Sequence, residues 1–422
     1  MTTPLRIAMV TTFFPPYNFG GDGQYIQRLV HALAARGHEV EVIHDIDAYR
    51  VLSKGKLPPP AGPMPGVTVH GLRSPLPALS VLLTQQLGRP IVHGRTIARI
   101  LSRGFDVIHY HNVSLVGGPG VLSYGDAIKL YTTHEHWLVC PMHILWRHNR
   151  ELCTGKQCFR CALANKRPPQ LWRLGRLIER EAPHVDAFLT LSQSCADNHR
   201  RFGFTREMRV TPSFLPDREE GEASLPPAVA REAASIPYFL FVGRLEIIKG
   251  LQEVIPQFDA SIPAELWIAG SGSYEAELRR LAKGRSNVRF LGRRTPAELR
   301  ELYRNAAATI ASSVCYEVFP MVMLESFREG TPVIARRLGP YPEIIEQSQG
   351  GLLFESGEEL RAALFALLEN RRRERMGADA LKSFRRLWSE QTAIDSYLSL
   401  IGEIASGRGR ADVAAKTCPS AA

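Results

Sequence analysis

Two glutamates flank an almost wholly apolar run in the C-terminal half of the chain. Glu317 and Glu325 lie within CYEVFPMVMLESFREGTPVIA, residues 315–335. An unpartnered buried carboxylate is costly, so the pair either lies on a solvated face or binds a group rich in hydroxyl donors. Pro320 stands where a helix should begin, and helix N-termini bind anions. A diphosphate flanked by sugar hydroxyls would fit, because an ionised glutamate accepts both protons of a vicinal diol.

Cations for such a diphosphate follow the predicted strand YFLFV. Arg244 offers a planar guanidinium that can donate two parallel hydrogen bonds to phosphate oxygens, and Lys249 offers a compact ammonium charge. Gly270 and Gly272, after the next predicted strand, permit close approach of a backbone. A glutamate pair at this spacing is by itself most often two solvated charges. The prediction therefore rests on the combination, since each element follows the C-terminal end of a strand, where ligands bind in parallel sheets.

Strands and helices alternate along both halves of the chain. LRIAMV, a helix and HEVEVI open the first series, and YFLFV, AELWIAG, NVRFLG, TPVIA and GGLLF form the second. Thr295, followed by Pro296 and Glu298, is predicted to cap a helix. We predict an α/β fold with two Rossmann-like, doubly wound parallel-sheet domains facing across a cleft. The predicted segments are an N-terminal domain 1–215 with a cysteine-rich insertion 136–170, a linker 216–235, a C-terminal domain 236–380, a helix 381–405 packing back on the N-terminal domain, and a disordered tail 406–422.

Glycines and histidines mark the corresponding end of the N-terminal sheet. Gly20 and Gly21 interrupt the first strand–helix connection, either to admit a phosphate or acceptor or as a plain loop. The G-x-G-x-x-G turn of dinucleotide folds is missing, so only Asp45, ending the second strand, favours an oxidoreductase. His109 and His111 end a later strand, and we expect them on opposite faces of the sheet.

Four cysteines lie close together in the sequence, at Cys140, Cys153, Cys158 and Cys161. Four thiolates suit tetrahedral Zn²⁺, and a polar, glycine-containing insertion with little core of its own would gain folding energy from a metal. We expect a structural zinc site. His136 or His143 replacing one sulfur, an iron–sulfur cluster and four unligated thiols remain alternatives.

The composition limits the class of protein. The chain has 422 residues, 45% of them hydrophobic, and a net charge of +10, which favours acidic partners such as nucleotides or an anionic membrane surface. No recognised nucleic-acid module occurs, and we expect no nucleic-acid partner. No apolar run is long enough to span a bilayer and no signal peptide is evident, so we expect a cytoplasmic protein. The segment PPQLWRLGRLIEREAPHVD is either an interfacial helix that brings the protein to the inner membrane face or a core helix with a solvated basic face.

Several motifs together resemble the retaining glycosyltransferases of family 4, which have the two-Rossmann architecture called GT-B. They are DVIHYHN, VGRLEIIKG, AGSGS, FLGRRTPAELRELY and EVFPMVMLESFREGTPVI, the last containing the family's pair of glutamates. The resemblance runs from about Leu5 to Leu400. The sequence departs from it at Pro320, where the family often has glycine, and proline removes an amide donor.

The resemblance implies a role for each matched residue. Arg244 and Lys249 would hold the donor diphosphate, and Glu317 would contact the transferred sugar. The other residues implied in donor binding are Gly20, Gly21, Gly270, Gly272, Glu325 at the ribose, Arg293 by the base, and the backbone amides of Phe319, Met321 and Val322. His111 would lie near the transferred sugar.

The activity implied is transfer of a sugar, with retention of configuration, from a nucleotide-diphosphate sugar to a carbohydrate or lipid-linked acceptor in polysaccharide or glycolipid synthesis. Front-side displacement, with the leaving diphosphate taking the acceptor's proton, is the expected mechanism, and no catalytic metal is expected. A GT-B sugar-nucleotide epimerase and a non-catalytic nucleotide-sugar-binding scaffold are the alternatives.

Overall fold

The chain consists of two compact units, Met1–Ser213 with Ala393–Ala422, and Phe214–Thr392. The computed structural model describes residues 3–216 and 236–417. All but the first residue of the predicted linker 216–235, and residues 418–422 of the predicted tail, lie outside the described residues.

A parallel sheet of seven strands forms the centre of the first unit. The strand order is β3-β2-β1-β4-β5-β8-β9. The strands are β1 (Arg6–Val10), β2 (Glu39–Asp45), β3 (Val67–Leu72), β4 (Val107–Tyr110), β5 (Ile128–Thr133), β8 (Ala187–Thr190) and β9 (Met208–Val210), and a hairpin of β6 (Trp146–Arg147) and β7 (Glu151–Leu152) lies in the cysteine-rich insertion.

Helices connect these strands. They are α1 (Gly21–Ala35), α2 (Ile46–Leu52), α3 (Pro77–Leu87), α4 (Gly94–Leu101), α5 (Cys158–Ala164), α6 (Leu177–Glu181) and α7 (Gln193–Arg201). The central strands are buried on both faces, with Val10, Ile108 and Tyr110 completely inaccessible. Burying such side chains stabilises the fold by about 1.5–3 kcal/mol each, which is why these strands read as continuous apolar runs.

The second unit contains a parallel sheet of six strands in the order β12-β11-β10-β13-β14-β15. Its strands are β10 (Tyr238–Val242), β11 (Glu265–Ala269), β12 (Val288–Gly292), β13 (Ala308–Ala311), β14 (Val333–Arg336) and β15 (Gly351–Phe354). The sequence prediction missed β13, because ATIA is short and contains mostly small residues. This strand nevertheless lies in the middle of the sheet, beside β10.

The helices of the second unit are α8 (Leu251–Val254), α9 (Glu275–Leu281), α10 (Pro296–Asn305), α11 (Met321–Arg328), α12 (Tyr341–Ser348), α13 (Gly357–Leu368) and α14 (Asn370–Leu387). The capping box predicted for α10 is confirmed: the Thr295 hydroxyl accepts from the Glu298 amide at 3.2 Å, and Glu298 accepts from the Thr295 amide at 2.8 Å.

The C-terminal region differs from the predicted single helix and disordered tail. Helix α14 ends at Leu387, and α15 (Glu390–Gly407) begins after Trp388 and Ser389. The break arises because Trp388 is buried and its carbonyl accepts from the Leu215 amide at 3.1 Å. The predicted tail is wrong up to residue 417, because Ala411–Thr417 forms a helix, α16, with Val413 fully buried.

Helices α15 and α16 pack on the first unit. The Tyr397 hydroxyl lies 3.0 Å from His109 Nδ1, and Lys416 Nζ lies 2.9 Å from both carboxylate oxygens of Asp106. None of the helices in residues 3–216 and 236–417 has the length and apolar character needed to cross a bilayer.

Candidate functional site

The predicted cationic and acidic residues of the second unit follow two adjacent strands, β10 and β13. The strand order reverses between them. On one side β10 pairs with β11, the next strand in the sequence, and on the other side it pairs with β13. Such a switch point opens a crevice beyond the carboxyl ends of the strands, where α/β proteins bind ligands. The topology therefore brings residues 243–250 and 312–320 to one place.

Lys249 and Glu317 are in direct contact in this crevice. Lys249 Nζ lies 2.6 Å from Glu317 Oε1, and the Ser313 hydroxyl donates to the same oxygen at 2.7 Å. Both charged side chains are about one-fifth exposed, at 21% and 20%. The pair is thus shielded from bulk water yet reachable from outside.

Both members of the pair remain charged at neutral pH. Burial alone would raise the pKa of Glu317, but the charge of Lys249 and the hydrogen bonds from Lys249 and Ser313 outweigh it, so this pKa lies below its ordinary value. Burial alone would lower the pKa of Lys249, but Glu317 outweighs it and this pKa is raised. Glu317 is therefore an acceptor of hydrogen bonds only.

The two predicted glycines lie where neighbouring loops touch. A Cβ on Gly270 would lie 1.9 Å from the Gly243 carbonyl oxygen, and one on Gly272 would lie 2.2 Å from the Leu245 carbonyl oxygen. The Leu245 amide donates to the Ser271 carbonyl at 3.0 Å. Glycine is therefore required here for the packing of the loop after β11 against the loop after β10, which holds the cations in place.

The remaining predicted cations lie further out. Arg244 is 67% exposed and its Nη1 lies 3.0 Å from Glu246 Oε1. Arg293 is exposed and its Nε donates to the Ser271 hydroxyl at 2.8 Å. Arg244 acts on Glu317 and Lys249 electrostatically, so it belongs to the same cluster, whereas Arg293 lies at the end of β12.

The helix α11 begins directly after this cluster. Pro320 occupies its N-cap position with no side-chain hydrogen bond, and Phe319, Met321 and Val322 are half-buried around the helix start. The first amides of a helix have no partner within the helix, and the macrodipole adds positive potential there. Glu325 lies one turn further, where the Tyr303 hydroxyl donates to its Oε2 at 2.7 Å.

The corresponding switch point of the first unit lies between β1 and β4, and the predicted residues gather there too. Gly20 is the N-cap of α1 and Gly21 its first residue, and a Cβ on Gly21 would meet no atom within 4 Å. Asp22 in the first turn accepts from Asn112 Nδ2 at 3.2 Å. The start of α1 is thereby tied to the end of β4.

His111 is buried beside His134, with His111 Nδ1 3.0 Å from His134 Nε2. The expectation that His109 and His111 lie on opposite faces was wrong: their ring centroids are 4.0 Å apart, because residues two apart on a strand share a face. Burial lowers the pKa of His109 to about 3 and of His134 to about 4, and lowers that of His111 well below its ordinary value. All three imidazoles are therefore neutral at pH 7.

The four predicted cysteines surround one small cavity in the first unit. Cys140, Cys153, Cys158 and Cys161 line a volume of about 20 Å³, and all four are free thiols. The segment 170–185 that follows is not the single helix considered from the sequence. A 3-10 turn, Leu171–Leu174, precedes the short α6, and Trp172 and Leu177 belong to the core.

The sequence prediction missed the residues that hold the glutamates. Ser313 and Tyr303 bind Glu317 and Glu325, and Arg336 Nε donates to the Ser312 carbonyl at 3.1 Å, which fixes the loop after β13. Ser313 lies four residues before Glu317, so a search for hydroxyl donors near the carboxylate would have found it. Tyr303 carries no such signal, because it comes from another helix.

Comparison with known proteins agrees with this arrangement. The family model "Glycosyltransferase Family 4" matches residues 19–217, and "Glycosyl transferases group 1" matches residues 229–383. Together the two matches include both switch-point sites.

Individual relatives are similar over most of the chain. D-inositol 3-phosphate glycosyltransferase of Acidothermus cellulolyticus is 28% identical over 400 residues, covering 86% of this chain and 82% of the relative. Phosphatidyl-myo-inositol mannosyltransferase of Mycobacterium leprae is 26% identical over 409 residues, covering 91% and 94%. Among solved structures, Anabaena HepE in complex with UDP-glucose is similar in fold with a TM-score of 0.62 at 16% identity, covering 96% of this chain and 100% of that one.

Proposed function

The chain belongs to the family 4, group 1 glycosyltransferases with the GT-B fold, and we propose that it moves a sugar from a nucleotide-diphosphate sugar to an acceptor hydroxyl with retention of anomeric configuration. The observation that carries this proposal is the cluster of Lys249, Glu317 and Ser313 at the switch point of the second unit, immediately before the N-terminus of α11.

The diphosphate of the donor is bound by charge from two sources. Lys249 and Arg244 supply cations, and the amides of Met321 and Val322 at the start of α11 supply oriented donors. Pro320 has no N–H, so the amide donors begin one residue later than they would with glycine at that position. This shift changes the rim of the site next to the transferred sugar.

The two glutamates bind the hydroxyls on either side of the diphosphate. Glu317 is held as a carboxylate by Lys249 and Ser313, and it accepts from hydroxyls of the transferred sugar. Glu325 is oriented by Tyr303, and it accepts from the ribose hydroxyls. Phe319 and Arg293 line the sugar and base ends. A nucleotide sugar is the donor class that presents hydroxyls, diphosphate and hydroxyls in this order.

In the transfer step the bond between the anomeric carbon and the diphosphate oxygen breaks, and the acceptor oxygen bonds to the same face of that carbon. The acceptor's proton passes to the departing phosphate oxygen, so no protein base is consumed. Lys249, Arg244 and the α11 N-terminus stabilise the growing negative charge, a role often worth about 3 kcal/mol per donor in enzymes. His111 of the first unit is neutral and lies 3.0 Å from His134, and it is the resemblance to family 4 that assigns it to the transferred sugar.

Product analysis tests the reaction. A thermal-shift panel of nucleoside diphosphates and their sugars identifies the ligand that stabilises the chain most. That donor is then incubated with candidate acceptors, and the anomeric configuration of the product is read by NMR. Transfer with retention supports the proposal. Inverted stereochemistry at a ring carbon of the unreacted donor would indicate an epimerase, and an unchanged donor with every acceptor class would indicate a binding protein.

For the acceptor, we propose a lipid-linked molecule reached at an anionic membrane surface, because helix α3 exposes leucines to solvent and buries two polar side chains. It buries Ser80 and Thr84 together with Val81, and it exposes Leu79 at 45% and Leu82 at 48%. A helix normally turns its leucines inward, so this exposed face indicates a binding surface. The segment 168–174 extends it: Gln85 Nε2 donates to the Pro168 carbonyl at 2.8 Å, and the next turn exposes leucines too, Leu171 at 53% and Leu174 at 83%.

Charge favours a lipid surface over a protein partner at this leucine face. The stretches 73–99 and 152–178 contain no aspartate or glutamate. They contain the basic residues Arg73, Arg95, Arg99, Lys156, Arg160, Lys166, Arg167 and Arg176, besides Arg89, which pairs with Glu181 at 2.8 Å, and Arg173, which lies against Trp137 and Trp172. Each cation near an anionic bilayer contributes about 1 kcal/mol, and each inserted leucine adds up to about 2 kcal/mol.

Vesicle flotation tests this acceptor assignment separately from the reaction. We expect the chain to float with vesicles of phosphatidylcholine and phosphatidylglycerol at 7:3, and not with pure phosphatidylcholine. Leu79→Asp with Leu82→Asp should reduce binding at least tenfold, whereas Phe365→Asp, at an equally exposed apolar position of the second unit, should not. If the protein does not bind anionic vesicles, the lipid assignment is wrong. If it forms a dimer that the leucine variant abolishes, the leucine face binds a second copy of the chain. Neither result would contradict the proposed transfer reaction.

A further inference from the structure

The cysteine-lined cavity points to a metal ion. Cys140 lies after β5, Cys153 after the β6–β7 hairpin, and Cys158 and Cys161 on α5, yet all four line the same 20 Å³ volume. That volume is about one water-sized sphere, so it admits a single ion and no larger group. We propose that these four thiolates bind one Zn²⁺, which has a structural role because four protein sulfurs complete its tetrahedral coordination.

Backbone amides already face the sulfurs. The His148 amide donates to Cys161 Sγ at 3.3 Å, and the amides of Met142 and Leu145 hydrogen-bond to Cys140. An N–H donor stabilises a thiolate more than a thiol, and such outer contacts orient metal ligands. Two of the four sulfurs therefore already accept hydrogen bonds from the backbone.

Fixed cations balance the charge that such a centre would carry. One Zn²⁺ with four thiolates has a net charge of −2. Arg173 acts on Cys140 and Cys158, Arg147 and Arg201 act on Cys153, and Lys156 acts on Cys158. Arg173 cannot move away, because it lies over the rings of Trp137 at 5.4 Å and Trp172 at 4.3 Å and donates to the Leu138 carbonyl.

The backbone between Cys140 and Cys153 adopts energetically unfavourable conformations. Four non-glycine residues there have positive φ: His143 at 73°, Leu145 at 49°, His148 at 51° and Asn149 at 57°. Left-handed conformations are unfavourable for such residues and persist where other interactions enforce them. A structural metal supplies that binding energy in a segment whose only paired strands are two residues long each.

A neighbouring group competes for the assignment. His136, Cys195 and His199 are buried with donor atoms within 4.8 Å of one another, and Cys140 N donates to the His136 carbonyl at 2.8 Å. This group offers only three ligands. His199 Nδ1 is already 2.8 Å from the Cys195 carbonyl in the i to i−4 position, which leaves it Nε2 alone. The four cysteines offer one ligand more, four sulfurs around a single volume, so we assign the metal to them.

Elemental analysis of the purified full-length chain tests the assignment. We expect about one zinc per chain, little iron, and no visible absorbance from an iron–sulfur cluster. Cys153→Ser and Cys158→Ser should each lower the zinc content at least fivefold. Cys195→Ser and Cys315→Ser, at buried cysteines outside the cavity, should leave it unchanged.

A second measurement on unaltered protein guards against variants that fail to fold. Titration with an organomercurial, followed with a zinc-sensitive dye, should release the zinc in step with modification of four thiols. The proposal is overturned by protein that holds no metal, by iron with sulfide, or by zinc that Cys195→Ser removes and Cys158→Ser retains. Nucleoside-diphosphate binding measures the integrity of the second unit. If the zinc-depleted variants still bind the nucleoside diphosphate, the loss of zinc is independent of the donor site.

Discussion

Replacement of Lys249 by methionine tests the donor site most directly. Methionine keeps the length of the side chain and removes its charge, so the effect on binding comes from electrostatics. The wild-type lysine is only 21% exposed and lies 2.6 Å from Glu317, so the charge acts in a partly desolvated setting. Removing one member of such a charge pair with a bound anion costs about 3 kcal/mol, which is about a 100-fold rise in Kd.

Glu317 determines how large that loss becomes. At 2.6 Å and an effective dielectric constant of about 20, the ion pair has a Coulomb energy of about 6 kcal/mol, most of which offsets desolvation. Without Lys249 the carboxylate keeps its hydrogen bond from Ser313 and repels the incoming diphosphate. Adding Glu317→Gln to Lys249→Met should therefore recover about 1 kcal/mol, or about fivefold in the Kd of the nucleoside diphosphate.

Calorimetric titration with both the nucleoside diphosphate and its sugar gives the required contrast. Lys249→Met should weaken both ligands alike, because both carry the diphosphate. Glu317→Gln alone should weaken the nucleotide sugar about tenfold and the bare diphosphate less than threefold, because only the former presents sugar hydroxyls. Lys283→Met, an exposed lysine of the same unit, is the matched control. If Lys249→Met and Lys283→Met behave alike, or if Glu317→Gln weakens both ligands equally, the reasoning about this site is refuted.

Three further outcomes follow from the fold. His109 is buried with its pKa lowered to about 3, below the unfolded value of 6.5, so its stability contribution is present above pH 6.5 and lost as the pH falls toward 3. About 2 kcal/mol of the stability lost by pH 5 should come from this residue, so calorimetric melting of His109→Gln should show a flatter pH dependence. Gly272→Ala should destabilise the second unit by about 3 kcal/mol because its Cβ meets a carbonyl at 2.2 Å, whereas Gly284→Ala, at φ +82° with open space around it, should cost about 1 kcal/mol in the same melting experiment. Lys416→Met should lower the stability of the first unit by about 1 kcal/mol by removing a half-buried ion pair, and proteolysis of the C-terminal helix should become faster; unchanged cleavage would contradict the packing of α16.

The sequence predicted most of the local structure. Strand periodicity, the capping box at Thr295, and the position of polar residues at strand ends are local properties, and they carried the α/β assignment and the choice of Lys249, Glu317 and Glu325. The resemblance to family 4 glycosyltransferases is confirmed by the matching family models. The zinc assignment, the retaining mechanism and the lipid acceptor stay predictions.

Other features were invisible because they depend on contacts between distant segments. Tyr303 reaches Glu325 from another helix, and β13 is recognisable only through its pairing with β10. The disordered tail predicted from weak periodicity is a helix because Val413 and Lys416 find partners on a domain that begins about 400 residues earlier in the chain.

Helix α3 shows the same division most clearly. Its leucine-rich sequence does not say which face is buried, and only the tertiary structure decided that Ser80, Val81 and Thr84 are buried while Leu79 and Leu82 face out. The sequence by itself determined which residues can bind anions, hydroxyls and metal, because those are properties of side chains and their spacing. Which of them meet, and which faces stay exposed, was decided by packing, because a side chain's surroundings come from segments far away in the sequence.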